Sequence, residues 1–389
     1  MIARISILIV LLTILPDVYI YCRYIRRRFT AKVWLRLLWW LPALAIIVYT
    51  VALCLSRDFT PANMMWLDIY LFMLGLVVVP KVLFVICSLV GRAIRRVTGG
   101  RRNWGNYVGL VAVLAQMYVL FTGSMAGVDH LAVRHVTLEF ADLPASFDGY
   151  CIVQWSDAHL GSMRTDLLKQ AVAATNDAKP DIIVFTGDIQ NTRPQELVRF
   201  GQWLVHLHPA DGIFSVLGNH DYSDYVRLPE EAKRHNEHMT RSFEESIGWD
   251  LLLNERRILR RGQDSIVIAG EENGGLPPFP DRADLKKTLH GISPRSFVVM
   301  LQHDPSAWRR SILPGCNAQL TLSGHTHGGQ LSLFGMRPTM FKYSEDAGLY
   351  RQGDRCLYVS TGLGGVVPFR FHMDPEIVVI TLKKKVNNN

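Results

Sequence analysis

Two patterns of apolar residues divide this chain. Residues 2–21, 34–55, 64–90 and 107–128 form four long apolar stretches, each near the twenty residues that a membrane-spanning helix requires. A cleaved leader accounts only for the first of them, so the pattern predicts an integral membrane domain over residues 1–129. From residue 130 to 389 the stretches give way to short apolar runs alternating with amphipathic segments. Strands are expected at 133–140, 151–156, 181–186, 213–217, 297–302, 318–322, 356–360 and 377–382, with two more in 256–269 turned at Gln263-Asp264. Helices are expected at 166–177, 195–207 and 229–247. This alternation predicts an α/β domain carried by four transmembrane helices.

Charge divides the chain at the same place. Residues 1–129 hold 14 Lys+Arg against 4 Asp+Glu, and residues 130–389 hold 28 against 30, so the net charge of +8 arises entirely in the first part. A nearly neutral folded domain lacks the basic footprint that nucleic acid requires, and that partner is excluded. The expected partner of the first part is the lipid bilayer. Its first loop carries Arg23, Arg26, Arg27, Arg28, Lys32 and Arg36, the second only Arg57, and the third Arg92, Arg95, Arg96, Arg101 and Arg102. By the positive-inside rule the first and third loops are cytoplasmic, which places the domain after Val128 outside the cytoplasm. Few charges fall within the stretches, and three of them are singled out. Asp17 and Asp68 are read as lying near span ends and Lys81 as snorkelling, rather than as an ion relay. The six cysteines contain no CxxC pair, and Cys151 and Cys356 are expected as buried thiols in strands.

All thirteen histidines lie after residue 129, and five of them stand within a set of five short segments. These are Asp157-Ala158-His159, Gly187-Asp188, Gly218-Asn219-His220-Asp221, His303-Asp304 and Gly324-His325-Thr326-His327. Each directly follows an expected strand, so successive strands would deliver them to one sheet edge. Asp157 and His159 can aim at one ion, and Asp188 has two carboxylate oxygens with which to bridge to a second. Asn219, His303 and His325 would complete the second ion's shell, and His327 the first. Nitrogen and oxygen donors without cysteine suit Mn, Fe or Zn better than calcium. Two such ions, typically about 3.5–4 Å apart, can activate water and clamp a phosphoryl group. His220 is expected to protonate the leaving group and stabilise the oxyanion. Asp221 and Asp304 are read as turn caps or histidine-orienting groups.

This series resembles the calcineurin-like metallophosphoesterases, with their DxH, GD, GNH[DE], later H and GHxH motifs. The fuller segments 156–161 and 324–330, with Gly362-Leu363-Gly364, Pro368-Phe369-Arg370 and Pro375-Glu376, look like the transmembrane-domain branch. The resemblance covers residues 133–383 and implies a four-layer α/β/β/α sandwich. It implies one divalent metal ion on Asp157, His159, Asp188 and His327, and another on Asp188, Asn219, His303 and His325. Gly270-Glu271-Glu272-Asn273 departs from the Gly-x-Asp-Asp-like turn of related proteins, and residues 274–280 read either as a substrate rim or as a stiff connector. The expected activity is hydrolysis of a phosphomonoester or phosphodiester, with a lipid or envelope component as substrate. Two alternatives stand beside it: a UDP-2,3-diacylglucosamine-type pyrophosphate hydrolase of lipid A metabolism, which would work in the cytoplasm, and a non-catalytic membrane sensor that binds a phosphorylated ligand.

Overall fold

The computed structural model describes residues 2–30, 32–55 and 64–385. The chain forms two compact units that divide between Gly123 and Ser124. Among the described residues of the first, four helical segments are long and apolar enough to cross a membrane: Ile5–Arg28, Val33–Leu55, Met65–Thr98 and Gly105–Met125. The third continues past its apolar stretch through Arg92, Arg95 and Arg96 and stops at Gly99, whose φ of 67° is the left-handed value that ends helices. Arg57, the one basic residue counted in the second loop, lies outside the described residues.

One of the three intramembrane charges departs from expectation. Lys81 does not snorkel. Its ammonium reaches the buried Asp17 carboxylate at 2.7 Å and lies 4.9 Å from the Trp39 ring centroid. In hydrocarbon an isolated charge is costly, and the two charges satisfy each other inside the helical unit. Helices pack closely near Gly105, where a Cβ would stand 2.0 Å from the Cys87 carbonyl oxygen, so a small residue is required.

The second unit holds two six-stranded sheets. Strands are numbered in chain order: β1 Ala132–Phe140, β2 Cys151–Trp155, β3 Ile182–Phe185, β4 Ile213–Ser215, β5 Asp250–Leu251, β6 Glu255–Arg261, β7 Asp264–Gly270, β8 Phe297–Leu301, β9 Leu320–Ser323, β10 Gly348–Gln352, β11 Arg355–Val359 and β12 Glu376–Lys384. One sheet has the order β1-β12-β2-β3-β4-β5 and the other β10-β11-β9-β8-β7-β6. Within them β2, β3, β4 and β5 run parallel, as do β7, β8, β9 and β11. Alternate residues of both sheets, among them Ile152, Val184, Phe214, Ile268, Val299 and Leu322, meet in a shared core. The intervening residues point outward. Val153, Trp155 and Ile183 pack under Leu168 and Ala171 of the helix Thr165–Asp177, and Val298 and Met300 pack under Trp308 and Ile312. Burial on both faces explains the unbroken apolar runs of these strands, and the result is the four-layer α/β/β/α sandwich.

Several elements differ from the expected ones. The helix expected at 195–207 is broken into the turns Pro194–Glu196 and Val198–Phe200 and the short helix Gly201–Leu204. Strands β5 and β10 at the sheet edges were not anticipated. The last strand runs past its expected end at residue 382: Lys383 and Lys384, both exposed, continue β12 and pair in register with Glu139 and Phe140 of β1. All six cysteines are free thiols; Cys356 is buried and Cys151, at the start of β2, is partly exposed.

Candidate active site

Five loops at the carboxyl ends of parallel strands converge. Asp157 and His159 follow β2, Asp188 follows β3, and Asn219 and His220 follow β4, all in the first sheet; His303 follows β8, and His325 and His327 follow β9, in the second. The site therefore forms where corresponding edges of the two sheets meet. Five of these residues have left-handed backbone conformations: Asp157 (φ 50°), His159 (46°), Asp188 (59°), His325 (73°) and His327 (51°). Such conformations are costly for side-chain-bearing residues, and they turn the chain sharply enough to aim neighbouring side chains at one point. Gly187 and Gly218 make the approach possible. A Cβ on Gly187 would lie 2.5 Å from the Gly218 nitrogen, and one on Gly218 would lie 2.2 Å from Asp188 Oδ1.

The side chains form overlapping groups. Donor atoms of Asp157, His159 and His327 lie within 4.8 Å of one another, as do those of Asp188, His303 and His325, and those of His159, Asp188 and His220. His327 Nε2 is 3.2 Å from His159 Nε2 and 3.3 Å from Asp157 Oδ1. His303 Nε2 is 3.2 Å from both Asn219 Oδ1 and Asp188 Oδ2, and His325 Nδ1 approaches it at 3.3 Å. All eight residues expected in the site are thus brought together.

Electrostatics favours a cation here. Burial, aided by the charge of His220, lowers His159 to about 3, and burial likewise brings His327 to about 3, leaving both rings neutral and able to donate a lone pair. Burial acts to lower His303 too, but Asp188 outweighs it and lifts this ring to about 10. The same partnership, with His220 and His159 adding to it, holds Asp188 well below the usual carboxylate range against its burial. The cluster of carboxylates thus captures a proton on His303 when no other positive charge is supplied. A divalent cation fits that demand and those donors.

Asp221 does not orient His220. Its carboxylate accepts the backbone N–H groups of Asp188 and Gly218 at 2.8 Å each and that of Ile189 at 3.0 Å, fixing the two glycine-containing loops against each other. His220 is held by other groups. Its Nδ1 lies 2.6 Å from the Asn191 carbonyl oxygen, which makes Nδ1 the protonated nitrogen of the neutral ring, and its ring stacks on Tyr225 at 4.1 Å. Asp304 Oδ2 stands 3.7 Å from His325 Nε2.

Two tyrosines belong to the site without having been anticipated. Tyr225 OH accepts from Asn219 Nδ2 at 2.7 Å, and Tyr343 OH is 2.8 Å from His325 Nε2. Neither lies in a motif segment; nearness to His220 in the chain was the only signal for Tyr225, and Tyr343 had none. A cavity of about 280 Å³ opens over the cluster, lined by Asp188, Asn219, His220, His325 and His327 and, at its mouth, by Phe279, Lys342 and Tyr343. Phe279 packs edge-on against the His325 ring at 4.6 Å, so the segment 274–280 reaches the rim. Glu271 instead faces Gln302 at 3.1 Å, behind the site. Arg370 is buried and donates to the carbonyls of Thr361 and Gly362 at 2.9 Å, supporting the loop whose Gly364 N–H bonds the Asp157 carbonyl at 2.8 Å.

Known proteins resemble both parts of this chain. Residues 152–329 match the family model described as calcineurin-like phosphoesterase, and residues 3–128 match that of a probable calcineurin-like phosphoesterase transmembrane domain. The chain is 35% identical over 260 residues to the uncharacterized metallophosphoesterase YkuE of Bacillus subtilis, covering 64% of this chain and 84% of that one. It is 29% identical over 268 residues to a transmembrane protein with metallophosphoesterase domain from Danio rerio, covering 65% and 57%. It is 28% identical over 324 residues to the UDP-2,3-diacylglucosamine pyrophosphatase LpxG of Chlamydia muridarum, covering 71% and 97%.

Proposed function

The chain belongs to the calcineurin-like phosphoesterases with a transmembrane domain, and from this premise we propose a two-ion hydrolase of lipid-borne or envelope phosphoesters at the outer face of the cytoplasmic membrane. Membership makes it a multi-pass membrane protein and a metal-dependent phosphoesterase. The number of ions, their identity as Mn, Fe or Zn, the roles of individual residues, the substrate and the side of the membrane are our reading.

In that reading Asp157, His159, Asp188 and His327 hold one ion, and Asp188, Asn219, His303 and His325 the other. Such ions, when bound, supply activation of water and neutralisation of phosphoryl charge. The protein's own groups do the rest. Lys342 places a positive charge at the cavity mouth, where it attracts an anionic phosphoester. Tyr225 and Tyr343 hold Asn219 and His325 in position. His220, with Nδ1 pinned by the Asn191 carbonyl, presents Nε2 and in its doubly protonated form donates that proton to the departing oxygen.

One observation carries the two-ion reading. Asp188 Oδ2 lies 3.2 Å from His303 Nε2 and 3.7 Å from His159 Nε2, placing a single carboxylate between two donor groups. Asp188→Asn in the purified full-length protein should lose both bound metal and hydrolysis of bis(p-nitrophenyl) phosphate. Two equivalents of metal with ordinary turnover in that variant would remove Asp188 as the bridge.

A second reading draws on LpxG, named as a UDP-2,3-diacylglucosamine pyrophosphatase. It takes the bond broken to be a pyrophosphate linking a nucleotide to an acylated sugar. It also requires the domain to face the cytoplasm, against the loop charges.

A further inference from the structure

We propose that residues 333–341 form a membrane-docking loop that seats the mouth of the site on the phospholipid bilayer. The loop exposes five apolar side chains together: Leu333, Phe334, Met336, Met340 and Phe341, with Phe334 101% and Phe341 90% exposed. Single exposed apolar residues are ordinary, but a cluster with fully exposed aromatic rings marks an interaction surface.

The backbone argues that Phe334 is there for its side chain. Leu333 and Met336 exchange two backbone hydrogen bonds of 2.9 Å across a two-residue turn of Phe334 (φ 53°) and Gly335 (φ 81°). Turns with two positive φ values favour Asn, Asp or Gly, and a phenylalanine gains nothing from that conformation. Its ring stands fully exposed at the tip of a tight hairpin. The rest of the loop is braced: Arg337 forms a bidentate pair with Asp346 at 2.7 and 2.8 Å, and Thr339 Oγ1 donates to the same carboxylate at 2.9 Å. The apolar side chains are therefore presented by a fixed backbone, not by a loose segment.

Three observations commit the loop to a bilayer. The chain leaves its last candidate span at Met125 and enters β1 at Ala132, a short tether that keeps the membrane at high effective concentration. Val128, in the tether, lines a small cavity with Gln330, Gly365 and Val367, and Gln330 and Val366 also line the active-site cavity. Directly after the apolar residues comes Lys342, whose ammonium lies 4.7 Å from the Phe279 ring centroid at the rim. Apolar side chains next to a lysine match the boundary between acyl chains and headgroups. In this arrangement the substrate phosphate is that of a lipid presented from the same bilayer. That consequence rests on the proposed hydrolysis; the docking does not.

The test uses the full-length chain in nanodiscs of phosphatidylethanolamine and phosphatidylglycerol, with p-benzoylphenylalanine in place of Phe334, of Phe341 or, as a control on the same unit, of the exposed Val198. Irradiation should yield lipid adducts at 334 and 341 and not at 198. Adducts joining two copies of the chain would assign the loop to self-association, and absent adducts or a yield equal to that at 198 would assign it to solvent; each overturns the proposal. A kinetic arm compares the parent with Phe334→Ser/Phe341→Ser. Hydrolysis of a diacylglycerol p-nitrophenyl phosphate in the nanodisc should fall by at least about tenfold, as expected for losing two buried aromatic side chains, while that of water-soluble bis(p-nitrophenyl) phosphate is unchanged. Equal loss on both substrates would mean that the loop supports the site itself, contrary to the proposal. If the parent cleaves neither, the proposed reaction fails while the adducts still decide the docking.

Discussion

Asp221 accepts the backbone N–H of Asp188 at 2.8 Å, and the Asp188 carboxylate in turn accepts the backbone N–H of His220 at 2.8 Å. The third motif thus positions the carboxylate of the second, and the second motif fixes the backbone of the third. Asp221→Ala leaves the buried N–H groups of Asp188, Ile189 and Gly218 without that acceptor. We expect turnover and metal affinity to fall by about 10–100-fold, the usual cost of removing a group that orients a ligand. Metal content and hydrolysis of the purified variant measure this; parent-like values for both would show that the loops hold their geometry without it.

His220→Ala is expected to retain most of its metal while losing turnover on the order of 10²–10⁴-fold, as for a general acid. The loss should shrink for a p-nitrophenolate leaving group, which departs without a proton. Equal impairment on good and poor leaving groups would point instead to His220 holding the phosphoryl oxygens. Loss of metal would place it among the ligands, as its nearness to His159 and Asp188 allows.

Glu271 offers a pH-dependent test of the scaffold behind the site. Burial raises its carboxyl from 4.5 to about 7, although Gln302 donates to it. The folded protein therefore keeps this proton where the unfolded chain has lost it. Its contribution to stability is full below about 4.5 and is lost as pH rises through 7. Glu271→Gln should leave the melting temperature little changed at pH 5 and raise it relative to the parent at pH 8, with roughly 2–4 °C expected per kcal/mol. Melting curves of the full-length protein in detergent decide this, and an unchanged difference between the two pH values would contradict it.

From the six, one and five Lys+Arg counted for the three loops, we expect the catalytic unit to lie outside the cytoplasm. A reporter active only in the periplasm, fused after Lys385, should be active, and a cytoplasm-only reporter silent. The reverse pattern would favour the reading that takes a nucleotide-linked lipid precursor as substrate.

Much of this protein is written in short-range pattern. Twenty-residue apolar stretches, unbroken strand runs and motif segments directly after those runs are local features, and they determined the membrane helices, the parallel strands and the residues at their ends. The tertiary structure decided what depends on partners far apart in the chain. Asp17 and Lys81, 64 residues apart, satisfy each other's charge instead of reaching for the interface. Tyr343 joins the site only because its hydroxyl meets His325, and β5 and β10 exist because sheet edges were available to pair them. Asp221 serves its neighbouring strand loop instead of the histidine beside it, because backbone N–H groups buried by the meeting of β3 and β4 require an acceptor. Phe334 reads in sequence as one more apolar residue; only the folded hairpin shows that it has no core to enter, since burial is a property of the packed chain and not of the residue.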